Sequence, residues 1–181
     1  MNVEEAVALI RPGVHPQIGT WADIGAGTGL FSRALMEILD EGTIIAIDKN
    51  PHALYSIKAP SHIDFQIMEG DFNDPLGLPP LDGIVMANAL HYAKDHLYVL
   101  KNVLACLKDG SRFILIEYDT EVPNIPWVPN PVSMHLFRTL CRKVDLNEPE
   151  WIGERESIYQ DGMIYAVVSN KISSQQLMVN I

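Results

Sequence analysis

The sequence predicts an α/β fold, a doubly wound and mostly parallel seven-stranded sheet that closes in a C-terminal antiparallel hairpin. Three observations lead to it. Short runs that are apolar on both faces alternate with longer segments of helical spacing, which is how a sheet buried between helices reads. A glycine-rich turn joins the first of these runs to the first long helix. Towards the C-terminus the alternation gives way to two β-rich segments in succession.

The elements follow in order. Val3 to Ile10 has the spacing of a short helix, and Trp21 to Ile24 reads as the first strand. Leu30 to Leu39 carries Leu30, Ala34, Leu35, Ile38 and Leu39 on one helical stripe. Thr43 to Asp48 is the second strand. Pro51 to Ala59 is expected to be helical, with Pro51 in its first turn and Pro60 past its end. Ile63 to Met68 and Leu81 to Asn88 give the third and fourth strands. The spacing of Leu97, Leu100, Val103, Leu104 and Leu107 predicts a helix over Asp95 to Leu107, capped by Asp95 and ended by Asp109-Gly110. Arg112 to Glu117 is the fifth strand. Tyr118 to Pro131 holds four prolines, and Val132 to Val144 returns to helical spacing. Trp151 to Ser157 and Met163 to Ser169 form the closing hairpin, turned at Gln160-Asp161-Gly162.

Composition narrows the function. The 181 residues are 48% apolar and 20% charged, which suits one globular domain over 1–181 and leaves no room for two ordinary ones. With 13 basic against 23 acidic side chains the formal charge is −10, and such a surface repels a phosphate backbone, so no nucleic-acid partner is expected. No apolar run is long enough to span a bilayer, and no membrane partner is expected. The acidic start Met1-Asn2-Val3-Glu4-Glu5 does not resemble a secretory signal, so the expected location is cytoplasmic. Cys106 and Cys141 are too few and too far apart for a zinc site or a disulfide framework.

The chemistry concentrates in Asp23-Ile24-Gly25-Ala26-Gly27-Thr28-Gly29-Leu30-Phe31. Glycines between a strand and a helix let backbone amides approach a ligand without side-chain clash. The spacing is Gly-x-Gly-x-Gly, and Leu30 stands where a pyrophosphate-binding loop would place its third glycine. Asp23 adds a negative charge that disfavours a pyrophosphate and welcomes a cationic group. Asp48, ending the second strand, can accept hydrogen bonds from both hydroxyls of a ribose. Read alone, Asp23 and Asp48 are equally turn or cap aspartates; the order strand, loop, helix, strand, acid favours a ligand site.

These residues resemble the class I S-adenosylmethionine-dependent methyltransferases. DIGAGTG is similar to their first motif and Asp48 to their ribose-binding acid. Glu69-Gly70-Asp71-Phe72 resembles the stretch they place beside adenine. Met86-Ala87-Asn88-Ala89-Leu90-His91-Tyr92 is similar to the "NALHY" stretch of small-molecule methyltransferases. The resemblance spans about Val3 to Lys171. It implies a Rossmann-like fold, S-adenosyl-L-methionine as cofactor and methyl transfer to a small-molecule acceptor. The cofactor set it implies is Asp23, Gly25, Ala26, Gly27, Gly29, Asp48, Lys49, Asp71, Phe72, Asn88 and Ala89. Within that set the glycines pack against the methionine and ribose parts, Asp23 holds the loop or the amino group, and Asp71 and Phe72 meet the adenine. Asp71 also reads as an Asx-turn residue, and Phe72 as core.

His91, just past the fourth strand, is the candidate acid–base catalyst, although a histidine capping the following helix would look the same. With His91, an acceptor pocket is expected from Tyr92, Tyr118 and Trp127, unless the proline-rich segment is a plain connector. His91 and His96 do not have metal-ligand spacing, so no metal is expected. Arg138, Arg142 and Lys143 read as solvated charge. The short segment before the first strand offers no lid, which suggests an open site or one completed by a second copy in a homodimer. The competing readings are a protein or RNA methyltransferase, a non-catalytic S-adenosylmethionine-binding module, and an NAD oxidoreductase, which the glycine spacing disfavours.

Overall fold

The computed structural model describes residues 1–157 and 162–173. Among them, seven strands form a single sheet in the order β3-β2-β1-β4-β5-β7-β6. They are β1 (Ile18–Ile24), β2 (Glu41–Asp48), β3 (Ile63–Glu69), β4 (Leu81–Ala87), β5 (Leu107–Tyr118), β6 (Glu150–Glu156) and β7 (Met163–Asn170). The helices are α1 (Val3–Ile10), α2 (Leu30–Ile38), α3 (His96–Leu104) and α4 (Met134–Cys141). Strands β1 to β5 are parallel, and β7 runs antiparallel between β5 and β6. The expected hairpin turn lies mostly outside the described residues, which exclude Gln160 and Asp161.

Alternation along each strand divides the core into two layers, because successive side chains leave opposite faces. Trp21, Ile44, Val85, Ile114 and Ala166 pack with α1 and α2 on one face. Ala22, Ile45, Ile84, Phe113 and Val167 pack with α3 and α4 on the other. Both faces are covered, which is why the strands read as continuous apolar runs. The helix starts follow their caps: Asn2 and Glu5 form a capping box on α1, Asp95 accepts from Tyr98 N–H, and Ser133 accepts from Leu136 N–H.

Two expected elements come out differently. Pro51–Ser56 is a 3-10 helix, not an α-helix to Ala59. The helix expected to reach Leu107 stops at Leu104, and Asp109-Gly110 lies inside β5. Leu107 pairs with Leu81 of β4, while the Lys171 ammonium donates to the carbonyls of Leu104 and Leu107. A cation on the last carbonyls ends α3 where the apolar spacing alone would continue it. On α4, Arg138 and Arg142 sit against Glu148 at 3.3 and 3.6 Å on the surface, so they are solvated charge as expected. Among the described residues, no helix is long and apolar enough to cross a membrane.

Candidate functional site

The chain winds outward from β1 through β2 to β3, then returns to the other side of β1 with β4 and β5. The turns after β1 and β4 therefore part above adjacent strands, the place where open α/β sheets bind ligands. The turn after β1 is held down by Gly25 and Ala26 amides, which both donate to Ile47 O at 2.9 Å. Gly25 has φ +75, and a Cβ there would lie 2.6 Å from Ala89 Cβ in the turn after β4. Glycine is required on both counts, and its absence of a side chain lets the two turns touch. Gly27 N–H donates to Asp48 Oδ2 at 2.7 Å, and Asn50 N–H to Oδ1 at 2.9 Å. Asp48 thus fixes the glycine turn from below while keeping spare lone pairs on both oxygens.

Above these turns lies a cavity of about 500 Å³. Gly25, Gly27, Asp48, Lys49, Phe72, Asn88 and Ala89 of the expected cofactor set form its walls, joined by Gly70, Asn73 and Tyr92. Four expected members do not line it. Asp23 is 1% exposed, and its carboxylate takes the Ser32 hydroxyl at 2.6 Å, inside the first turn of α2. Ala26 packs with Ala46 and Leu54. Gly29 is the left-handed N-cap of α2, where a Cβ would strike Ile57. Asp71 is paired instead with residues of the wall: Lys49 binds its Oδ2 at 2.6 Å, and the Asn73 backbone and amide bind Oδ1. Burial pushes the Asp71 carboxyl up, but the Lys49 and Asn73 donors outweigh it and hold the group below the usual carboxylate range.

Asp23 behaves oppositely. Burial pushes its carboxyl up to about 6 from an ordinary 3.8; Ser32 offsets this in part, and the nearby Asp48 charge adds to it. Between those two values the folded state holds more proton than the unfolded chain, so stability falls as pH rises through that window and levels off above it. The shift corresponds to about 3 kcal/mol. Urea denaturation across that range should show wild-type losing stability relative to Asp23→Asn as pH rises. A difference that does not change with pH would refute this account.

Asn88 begins the turn after β4 with φ 48, the one described non-glycine residue in the left-handed region. Asparagine tolerates that conformation better than most side chains. Its N–H donates to Ile116 O of β5, and its buried Oδ1 has no partner among the described residues. Strain together with an unpaired buried acceptor marks a position shaped for something other than stability.

A second cavity, of about 770 Å³, adjoins the first and shares Asn88 and Tyr92 with it. His91, Tyr118 and Trp127 also line it, so the structure brings the four expected acceptor-pocket residues together, with Thr28, Asn124 and Val128 added. Its described wall contains no Asp, Glu, Lys or Arg. The proline-rich segment folds back through paired bonds between Asn124 and Val128, and Asn130 ties it to His91 O. Trp127 stays 69% exposed at the rim. His91 itself is buried; its Nδ1 lies 2.6 Å from Glu117 Oε2, and its Nε2 has no partner among the described residues. Nothing local in the sequence announces this pair. The only hint is a carboxylate directly after the apolar run Phe113 to Ile116.

A family model described as "Methyltransferase domain" matches residues 22–113, which include the glycine turn, Asp48, Asn88 and His91. The 2-methyl-6-phytyl-1,4-hydroquinone methyltransferase, chloroplastic, of Spinacia oleracea is 29% identical over 96 residues, covering 52% of this chain and 28% of the relative. The chain therefore spans less than a third of the length of that curated relative. Among solved structures, the 1,6-didemethyltoxoflavin-N1-methyltransferase of Burkholderia thailandensis, solved with S-adenosylhomocysteine, superposes with a TM-score of 0.70 at 15% identity. That match covers 94% of this chain and 78% of the other. A SAM-dependent methyltransferase from Aquifex aeolicus matches with a TM-score of 0.65 at 18% identity, covering 84% and 82%. The fold, the glycine turn and the matched domain lead to one assignment: the chain belongs to the methyltransferase-domain family, among the class I S-adenosylmethionine-dependent methyltransferases.

Proposed function

We propose that this chain, acting as one cofactor-binding domain, methylates a small, uncharged aromatic molecule at a hydroxyl or N–H group. The single observation behind this reading is the second cavity, which is aromatic, free of charged side chains along its described wall, and contiguous with the cofactor cavity. A carboxylate or phosphate acceptor would find no cation there to replace its lost water. Tyr92, Tyr118 and Trp127 offer flat apolar faces to a ring. The spinach relative is named for a hydroquinone and the Burkholderia enzyme for 1,6-didemethyltoxoflavin, and a hydroquinone is in keeping with such an acceptor.

The first cavity suits S-adenosylmethionine. Gly25 and Gly27 open the backbone to it, Asp48 has lone pairs to offer the ribose hydroxyls, Phe72 and Ala89 offer an apolar wall to adenine, and Asn88 Oδ1, without a partner among the described residues, can take a donor. When bound, this cofactor supplies a methyl group already activated on a sulfonium. The protein's part is then to orient the acceptor, exclude water and take a proton. His91 is the group for the last task, since its Nε2 has no partner among the described residues. Tyr92, whose ring centroid is 4.3 Å from that of His91 and which is half exposed, offers the acceptor a ring face beside that histidine.

The test is S-adenosylhomocysteine formation with a panel of simple phenols, hydroquinones and hydroxylated heteroaromatics, each paired with a carboxylated or phosphorylated analogue. Turnover should be confined to the neutral members. A preference for the anionic ones would refute the acceptor assignment.

A further inference from the structure

Glu117, next to last in β5, lies beside the turn that carries His91, and its two carboxylate oxygens are used differently. Oε1 accepts from the His91 backbone N–H at 3.2 Å, and Oε2 contacts His91 Nδ1 at 2.6 Å. Glu117 is 0% exposed and His91 1%, so water does not compete for either contact. A backbone N–H can only donate, which commits Oε1 as an acceptor. With Glu117 ionised, Oε2 can do nothing but accept as well, and the imidazole then carries its proton on Nδ1. That leaves the lone pair on Nε2, the ring atom with no partner among the described residues.

We infer that Glu117 is a positioning residue that sets the tautomer of His91, keeping Nε2 unprotonated to receive a proton from the acceptor. The inference rests on the reading of His91 as the base and adds the group that makes it one. In the step itself the acceptor's O–H or N–H bond breaks. Its electron pair stays on the acceptor atom, and its proton bonds to the Nε2 lone pair. The Nδ1 proton does not leave; the imidazolium formed is held against the Glu117 carboxylate, and the extra proton later departs from Nε2 to solvent. A buried carboxylate beside the ring offsets the charge created there, which a neutral side chain of the same shape would not.

The same geometry states what glutamine would do. Its single carbonyl oxygen must serve the His91 backbone N–H, so its amide NH₂ faces Nδ1 and donates. Nδ1 then becomes the acceptor, and the proton moves to Nε2, with the fold unchanged and the lone pair facing the wrong way.

The experiment is two-bond ¹H–¹⁵N correlation on protein carrying ¹⁵N-labelled histidine, free of ligands, at about pH 8. His91→Asn identifies the His91 signals by their loss. Wild-type should show a pyrrole-like Nδ1 and a pyridine-like Nε2, and Glu117→Gln should exchange the two. A protonated Nε2 in wild-type, whether as the other tautomer or as imidazolium, overturns the inference, and so does an unchanged tautomer in folded Glu117→Gln. The wild-type spectrum decides the matter even if the variant does not fold. Calorimetric titration of the same wild-type sample with S-adenosylhomocysteine keeps the two readings apart. Absence of binding there counts against the proposed function, whereas the spectrum alone judges the role of Glu117.

Discussion

His91→Asn is expected to lower turnover by about 10²–10⁴-fold, the usual range for losing a positioned general base, with S-adenosylmethionine affinity left within about threefold. Asparagine is the informative replacement. Its amide can still donate towards Glu117, so the buried carboxylate keeps a partner, and the backbone bond from residue 91 to Oε1 survives. Only Nε2 is lost. Alanine would confound the result, because it strands a 0% exposed carboxylate. The measurement is S-adenosylhomocysteine formation with the best acceptor of the panel, set beside calorimetric affinity for the cofactor. Full turnover in the variant would remove His91 from the chemistry.

The second large effect is on cofactor binding. On the proposed cofactor site, Asp48→Ala removes the acceptor assigned to two ribose hydroxyls, and it also frees the Gly27 and Asn50 amides, each now satisfied by one oxygen. Charge-assisted hydrogen bonds contribute about 1.5–3 kcal/mol each, so losing two corresponds to a drop in affinity of roughly 10²-fold or more. Asp48→Asn separates the two roles, since one oxygen can still hold the Gly27 amide. Calorimetry should place the Asn variant between wild-type and Ala. If both variants bind the cofactor as wild-type does, Asp48 is a loop anchor and nothing more.

Much of the fold was legible because local pattern and final structure agree. Strands buried on both faces read as apolar runs, and the predicted ranges for α1, α2 and β7 lie within two residues of the observed ones. Where local pattern misled, a distant partner decided. Leu107 carries the helical spacing onward, yet it pairs with Leu81, and Lys171, far along the chain, closes the helix behind it. The candidate site follows the same rule. Gly25, Gly27, Asp48 and Asn88 sit at turns that the alternation of strands already locates. Asp71 sits at such a turn too, but it is paired with Lys49 and Asn73 and is not among the lining residues, and side-chain pairing of that kind leaves no periodic trace. Glu117 was hidden for the same reason: it meets His91 only because β4 and β5 are neighbours in the sheet.

Asn88 and Tyr92 belong to the walls of both cavities. With cofactor and acceptor seated as proposed, a partition held in common links the two occupancies thermodynamically. Whatever free energy one guest spends or saves by settling that partition is passed, with equal size and sign, to the other, irrespective of which arrives first. Substitutions at Asn88 or Tyr92 will for that reason not sort into donor effects and acceptor effects. Their double-mutant cycles against residues of either cavity should carry interaction terms, where Gly27 and Trp127, each bordering one cavity alone, should add independently.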